Sequence, residues 1–90
     1  MDLKLRDKVV VVTGGAKGIG EAIVRGAAAE GAIPVIIDRD AEAAARLQTA
    51  LLACGAQSEV IVAEISAPEA CASAVEQTLG KFGRIDALVN

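Results

Sequence analysis

Lys8-Val9-Val10-Val11-Val12-Thr13-Gly14-Gly15-Ala16-Lys17-Gly18-Ile19-Gly20 is the stretch from which the rest of the chain can be read. Lys8 to Thr13 is a β-branched run without polar alternation. It predicts a strand buried on both faces, as in a parallel sheet covered by helices. Glycines then break the strand, and the apolar spacing becomes that of a helix from about Gly18 to Glu30. Ile19, Ile23, Gly26 and Ala27 are expected to form its small, apolar inner face. In a parallel sheet, this order puts the turn at the strand's carboxyl end, where the next helix points its amino end. Free N–H groups and the helix dipole there attract a phosphate. Glycine is required wherever a Cβ would hold a pyrophosphate away.

The spacing is G-x-x-x-G-x-G, carried by Gly14, Gly18 and Gly20. It differs from the G-x-G-x-x-G of the commonest dinucleotide fingerprint. It is not a P-loop either, because Glu21 follows Gly20 where that motif needs Lys and then Ser or Thr.

Outward from the turn the alternation continues. Gly31 stands where a C-cap glycine belongs. Ile33 to Asp38 reads as a second strand, with Pro34 tolerable only near its start. Asp40 can cap a second helix, Ala41 to about Ala53, with Ala44, Leu47 and Leu51 facing inward. Glu59 to Ala63 predicts strand three. Ser66 and Glu69 form an S-x-x-E capping box with Pro68 in the first turn. The helix that follows carries Cys71, Val75, Thr78, Leu79 and Phe82 on one face, and Gly83 stops it. Ile85 to Val89 is strand four, and the last residue is Asn90. Short right-handed crossovers between such elements give an α/β fold: a doubly wound parallel sheet, Rossmann-like, flanked by helices, in the order 3-2-1-4. Strand four would leave an open edge. Residues 1–90 are therefore expected to be the amino-terminal, dinucleotide-binding part of a single longer Rossmann-fold domain.

Composition agrees and narrows the partners. Of 90 residues, 53% are hydrophobic and 23% charged, which describes a globular chain rather than a disordered one. A single Phe is the only aromatic residue, so the core must be Val, Ile, Leu and Ala. The net charge of −3, without a basic stripe, disfavours nucleic acid. No apolar run reaches the length of a membrane span. Met1 to Lys8 is charged and lacks a signal core. Cys54 and Cys71 are far apart, with no His to share a metal. Free thiols in a cytoplasmic protein, and no metal site, are expected.

Asp38 closes strand two, where an acid can accept hydrogen bonds from the adenosine ribose hydroxyls. The plainer role of capping the next helix falls better to Asp40. A carboxylate at Asp38 repels a 2′-phosphate and favours NAD over NADP. Arg39 and Lys17 pull the other way, since either could meet that phosphate.

With these residues in place, the chain resembles the amino-terminal part of a short-chain dehydrogenase/reductase. The resemblance rests on K-V-V-V-V-T-G-G-A-K-G-I-G, then Asp38, then Ile85-Asp86-Ala87-Leu88-Val89-Asn90, which is similar to the start of that family's D-x-L-V-N-N-A-G segment. It implies that Gly14, Ala16, Lys17 and Ile19 line the diphosphate and nicotinamide ribose. Gly18 and Gly20 would allow close approach, and Asp38 and Arg39 would frame the adenosine ribose. Glu64 replaces the family's usual Asp at the end of strand three, where, with Ile65, it would meet adenine. Asn90 would either lie beside the cofactor or end its strand with structural hydrogen bonds only. The implied chemistry is hydride transfer between the nicotinamide and an alcohol or carbonyl carbon, assisted by a Tyr acid/base and its Lys. The chain contains no Tyr, so residues 1–90 hold no catalytic residue of that kind and catalysis would belong to the longer protein. That protein is expected to be a homo-oligomer, dimer or tetramer. M-D-L-K-L-R-D-K and G-A-I-P-V are similar to sugar dehydrogenases of the L-fucose type, so a sugar or polyol is one candidate substrate.

Two other readings compete. An S-adenosylmethionine-dependent methyltransferase also has glycines after strand one and an acid after strand two, but Val9 to Val12 lack its usual first-strand acid. A non-catalytic dinucleotide-sensing domain would keep the cofactor site alone.

Overall fold

The computed structural model describes residues 4–90. Met1 to Leu3, part of the charged opening stretch, lie outside the described residues.

Seven elements follow one another: β1 (Val9–Thr13), α1 (Gly18–Ala29), β2 (Ile33–Asp38), α2 (Ala41–Ala53), β3 (Glu59–Val62), α3 (Pro68–Phe82) and β4 (Ala87–Val89). The four strands form one sheet in the order β3-β2-β1-β4, all neighbours parallel. This is the expected doubly wound arrangement. Val9 to Thr13 of β1 face Ile33 to Ile37 of β2 across the ladder. Pro34 fits because Ile33 donates to the Lys8 carbonyl at 2.7 Å and β3 joins β2 only from Val35 onward.

Strand pleating sends alternate side chains to opposite faces. Val10, Val12 and Ile36 pack under α1 and α2, against Val24, Ala44, Leu47 and Leu51. Val9, Val11, Val35 and Ile37 pack with Ala74 of α3, and Phe82 and Ile85 lie against them. Burial on both faces explains why β1 can be four consecutive valines.

Four expectations are corrected. Ile19 and Gly26 belong to no inner face: Ile19 is 82% exposed, Gly26 is exposed, and Val24, 0% exposed, anchors α1 with the half-buried Ile23 and Ala27. The residues of α1 that pack against the core are Ile23, Val24, Ala27 and Ala28, beyond its first turn. Ser66 and Glu69 form no capping box. The N-cap of α3 is Ala67, without a side-chain bond, because the Ser66 hydroxyl donates to Glu64 instead. On α3 the buried pair is Ala74 and Thr78, whereas Val75 and Leu79 are exposed. The strands are also shorter: β1 starts at Val9, β3 ends at Val62 and β4 starts at Ala87.

Candidate functional site

The glycine turn folds over the end of β2. The Gly14 amide donates to the Ile37 carbonyl at 2.7 Å, and the Gly15 amide reaches the same oxygen at 3.4 Å. Gly15 is held tight by packing, since a Cβ there would sit 3.2 Å from Val24 and 3.0 Å from the Val12 carbonyl oxygen. Gly14 and Gly18 adopt left-handed φ values of 66° and 58°, which disfavour a side chain, and the space where a Cβ would point is open. Gly20 is different. A Cβ there would strike the Gly14 carbonyl, 2.8 Å from its carbon. Glycine at 20 thus lets α1 close onto its own turn.

That packing leaves the amino end of α1 facing outward. Lys17 occupies the N-cap position and makes no side-chain capping bond. The first amides of the helix, at Gly18, Ile19 and Gly20, have no intrahelical acceptor. They present N–H groups and the positive end of the helix dipole, the chemistry that holds an anion.

Asp38 ends β2 and fixes the turn. One carboxylate oxygen accepts the Ala16 amide at 3.1 Å, and the other accepts the Asp40 amide at 2.9 Å. Each oxygen keeps a further lone pair for a hydroxyl donor. Gly14, Asp38, Arg39, Glu64 and Ile65, with Ile37 and Ala63, line one open cleft of about 180 Å³ across the ends of β1, β2 and β3. Five of the residues singled out in the sequence therefore share one surface.

The charges around the cleft are paired. Lys17 Nζ lies 2.6 Å from Asp40 Oδ2, and Arg39 Nη1 lies 3.5 Å from Glu64 Oε2. Asp40 also caps α2, accepting the Ala43 amide at 3.0 Å. The Lys17 hydrogen bond, then the Ala43 amide, hold the Asp40 carboxyl below its ordinary pKa. The sequence marks Asp40 as a cap, but nothing in residue spacing reveals that it holds Lys17. At the other side of β1, Thr13 Oγ1 lies 3.1 Å from Asn90 Oδ1 and 3.2 Å from the Val89 carbonyl oxygen, tying the end of β4 to the turn. Asn90 thus makes a structural hydrogen bond at the rim of the site. Ile19 projects from the first turn of α1 into solvent.

Among the described residues no group of His, Cys, Asp and Glu could hold a metal ion, and no helix is long and apolar enough to cross a membrane. Cys54 and Cys71 are unbridged, and the Cys71 thiol meets the Ile65 carbonyl at 3.0 Å.

Comparison with known proteins agrees with this geometry. The sequence model of the short chain dehydrogenase family matches residues 8–90. A CLA biosynthesis dehydrogenase/reductase of Lactiplantibacillus plantarum is 39% identical over 85 residues, covering 94% of this chain and 30% of its own length. The crystal structure of L-sorbose reductase from Gluconobacter frateurii, complexed with NADPH and L-sorbose, superposes with a TM-score of 0.95 at 34% identity, over 100% of this chain and 35% of that one. A short chain dehydrogenase/reductase from Burkholderia phymatum in complex with NAD gives a TM-score of 0.90 at 29% identity, over 96% and 31% of the two chains. The chain spans about a third of the length of these relatives. The methyltransferase reading finds no support among them. With its 3-2-1-4 sheet and its G-x-x-x-G-x-G turn, this chain belongs to the short chain dehydrogenase family.

Proposed function

We propose that this chain binds a nicotinamide dinucleotide, NAD in preference to NADP, as the cofactor-binding part of one longer oxidoreductase domain. The observation that carries the reading is the open cleft joining the Gly14 turn to Asp38 and Glu64. Open space at the Cβ directions of Gly14 and Gly18, beside an uncapped helix end, fits a diphosphate.

In this reading Gly14, Ala16, Lys17, Gly18, Ile19 and Gly20 surround the diphosphate and the nicotinamide ribose. Asp38 accepts the adenosine ribose hydroxyls and Arg39 flanks them. Glu64 and Ile65 meet adenine, and Asn90, steadied by Thr13, borders the nicotinamide end. When bound, the dinucleotide supplies hydride chemistry toward an alcohol or carbonyl substrate. The chain's own residues bind it, orient it and hold its phosphates by backbone amides. The Tyr acid/base that the family resemblance implies is absent from residues 1–90, and in this reading the longer protein supplies it. Likeness to L-sorbose reductase over the whole chain supports a sugar or polyol substrate. The family resemblance supports a cytoplasmic homo-oligomer, dimer or tetramer.

Calorimetric titration of the full-length protein with NADH, NADPH and S-adenosylmethionine tests the proposal. Binding of NADH, tighter than NADPH, is expected. Heat from S-adenosylmethionine alone would overturn it. A protein that binds NADH but oxidises and reduces nothing in a panel of sugars, polyols and simple alcohols would be the dinucleotide-sensing alternative.

A further inference from the structure

Two cations stand on either side of Asp38, Arg39 lining the cleft and Lys17 in the neighbouring hollow beside Ala43 and Arg46, and each is already held by a carboxylate. Lys17 sits in the glycine turn itself, and its ammonium lies 2.6 Å from Asp40. Arg39 directly follows Asp38, and its guanidinium lies 3.5 Å from Glu64. Each carboxylate also has a second partner near it in the chain. Asp40 is fastened to α2 through the Ala43 amide, and Glu64 is held by the amide and hydroxyl of Ser66 at 3.5 and 3.3 Å. With Asp38, three carboxylates stand against two cations around this end of the site.

Resting on the dinucleotide reading above, we infer that Asp40 and Glu64 are specificity-determining positioning residues: they draw Lys17 and Arg39 out of reach of a 2′-phosphate. Asp38 disfavours that phosphate by direct repulsion. Asp40 and Glu64 act at one remove, by occupying the cation of the turn and the cation of the cleft. A 2′-phosphate brings up to two negative charges and strong acceptor oxygens. To be neutralised by either of these cations, it must first break Lys17–Asp40 or Arg39–Glu64. It would then leave a carboxylate unpaired beside the same cleft. Both pairs are exposed and individually weak, so their effect is a graded bias between two cofactors, not an absolute block. A dinucleotide with a free ribose hydroxyl meets no such cost, because Asp38 alone serves it.

Neutral isosteres test this without removing the local hydrogen bonds. Asp40→Asn retains an oxygen for the Ala43 amide and is as good a helix cap. Glu64→Gln retains an acceptor for Ser66. Dissociation constants for NADH and NADPH are measured on the full-length protein by the fluorescence of the bound nucleotide, at low and high salt. The double variant is expected to raise the affinity for NADPH about tenfold relative to that for NADH. The gain should shrink as salt is raised. Adding Lys17→Met and Arg39→Met to the double variant should abolish the gain. Persistence of the gain without those cations would reduce the effect to a general loss of negative charge and overturn the inference. An unchanged NADPH-to-NADH ratio in the double variant would also overturn it, while leaving the dinucleotide site intact. A wild-type protein that binds neither dinucleotide would overturn the site reading, and this inference with it.

Discussion

The Asp38 carboxylate accepts the Ala16 amide at 3.1 Å, so the end of β2 holds the glycine turn through a side chain. The same carboxylate receives the Asp40 amide at the start of α2. Asp38 thus orients three segments at once, and its two oxygens face the cleft proposed for the ribose. Asp38→Ala leaves the Ala16 amide, in a residue only 5% exposed, without its partner. A loss of about 1–3 kcal/mol of stability is expected, together with a narrower preference for NADH over NADPH. Urea unfolding and paired dissociation constants check the two effects. A variant as stable as wild type, with the same cofactor ratio, would remove Asp38 from both roles.

The two glycines nearest the start of α1 should fail differently. Gly18→Ala imposes a left-handed φ of 58° on an L-residue but enters open space. It should cost about 1–2 kcal/mol, and Gly18→Asn less, because Asn tolerates that conformation. Gly20→Ala drives a methyl into backbone atoms of Gly14 and Gly15 that cannot turn aside. It should cost more than Gly18→Ala, about 3 kcal/mol or more. Urea midpoints of the three variants give the order, and a Gly20→Ala protein no less stable than Gly18→Ala would contradict the packing described.

What was legible in the sequence was local or periodic. Val9 to Val12 announced a strand buried on both faces because nothing polar alternates with them, and Asp38 was placed because it follows that logic in β2. The turn's spacing was legible because a strand end, a tight turn and a helix start are set by adjacent residues. Ile19 falls outside the buried face because helical periodicity says which residues share a face but not how far along the helix that face is covered. The S-x-x-E pattern misled because Ser66 spends its hydroxyl on Glu64, a contact set by how the loop leaves β3. The ion pairs of Lys17 and Arg39 depend on side-chain reach between segments 23 and 25 residues apart, which no spacing rule encodes.

Exposure of Ile19 separates its function from its contribution to folding. Ile19→Ala removes a side chain that is 82% exposed, so stability should change by no more than about 0.5 kcal/mol. Ile36→Ala, at a position 0% exposed, should cost about 2–5 kcal/mol. If Ile19 covers the nicotinamide ribose, its truncation should still weaken NADH binding measurably. Thermal unfolding and NADH titration of the same samples read both properties. A destabilised Ile19→Ala protein would place that side chain in the core after all.

Asp40 at the site is one source of acid sensitivity, and a second lies at the end of β1 farthest from it. Asp86 is bound there by Arg84, at 2.7 and 2.8 Å, and by the Val9 amide at 2.8 Å. The Arg84 hydrogen bonds, then the Val9 amide, hold the Asp86 carboxyl below its ordinary pKa. A carboxyl depressed in the folded state stabilises the fold fully above its unfolded pKa of about 3.9. That contribution is lost as pH falls from there through the folded value, because the unfolded state then takes up a proton that the folded state binds poorly. Asp86→Asn removes the titration, so its stability should decline less steeply than wild type below about pH 4. Above pH 5 it should be the less stable of the two, because the charge-assisted bonds to Arg84 are gone. Urea midpoints between pH 3 and pH 7 follow the comparison. Parallel curves for the two proteins would mean that the pair contributes nothing that depends on its charge.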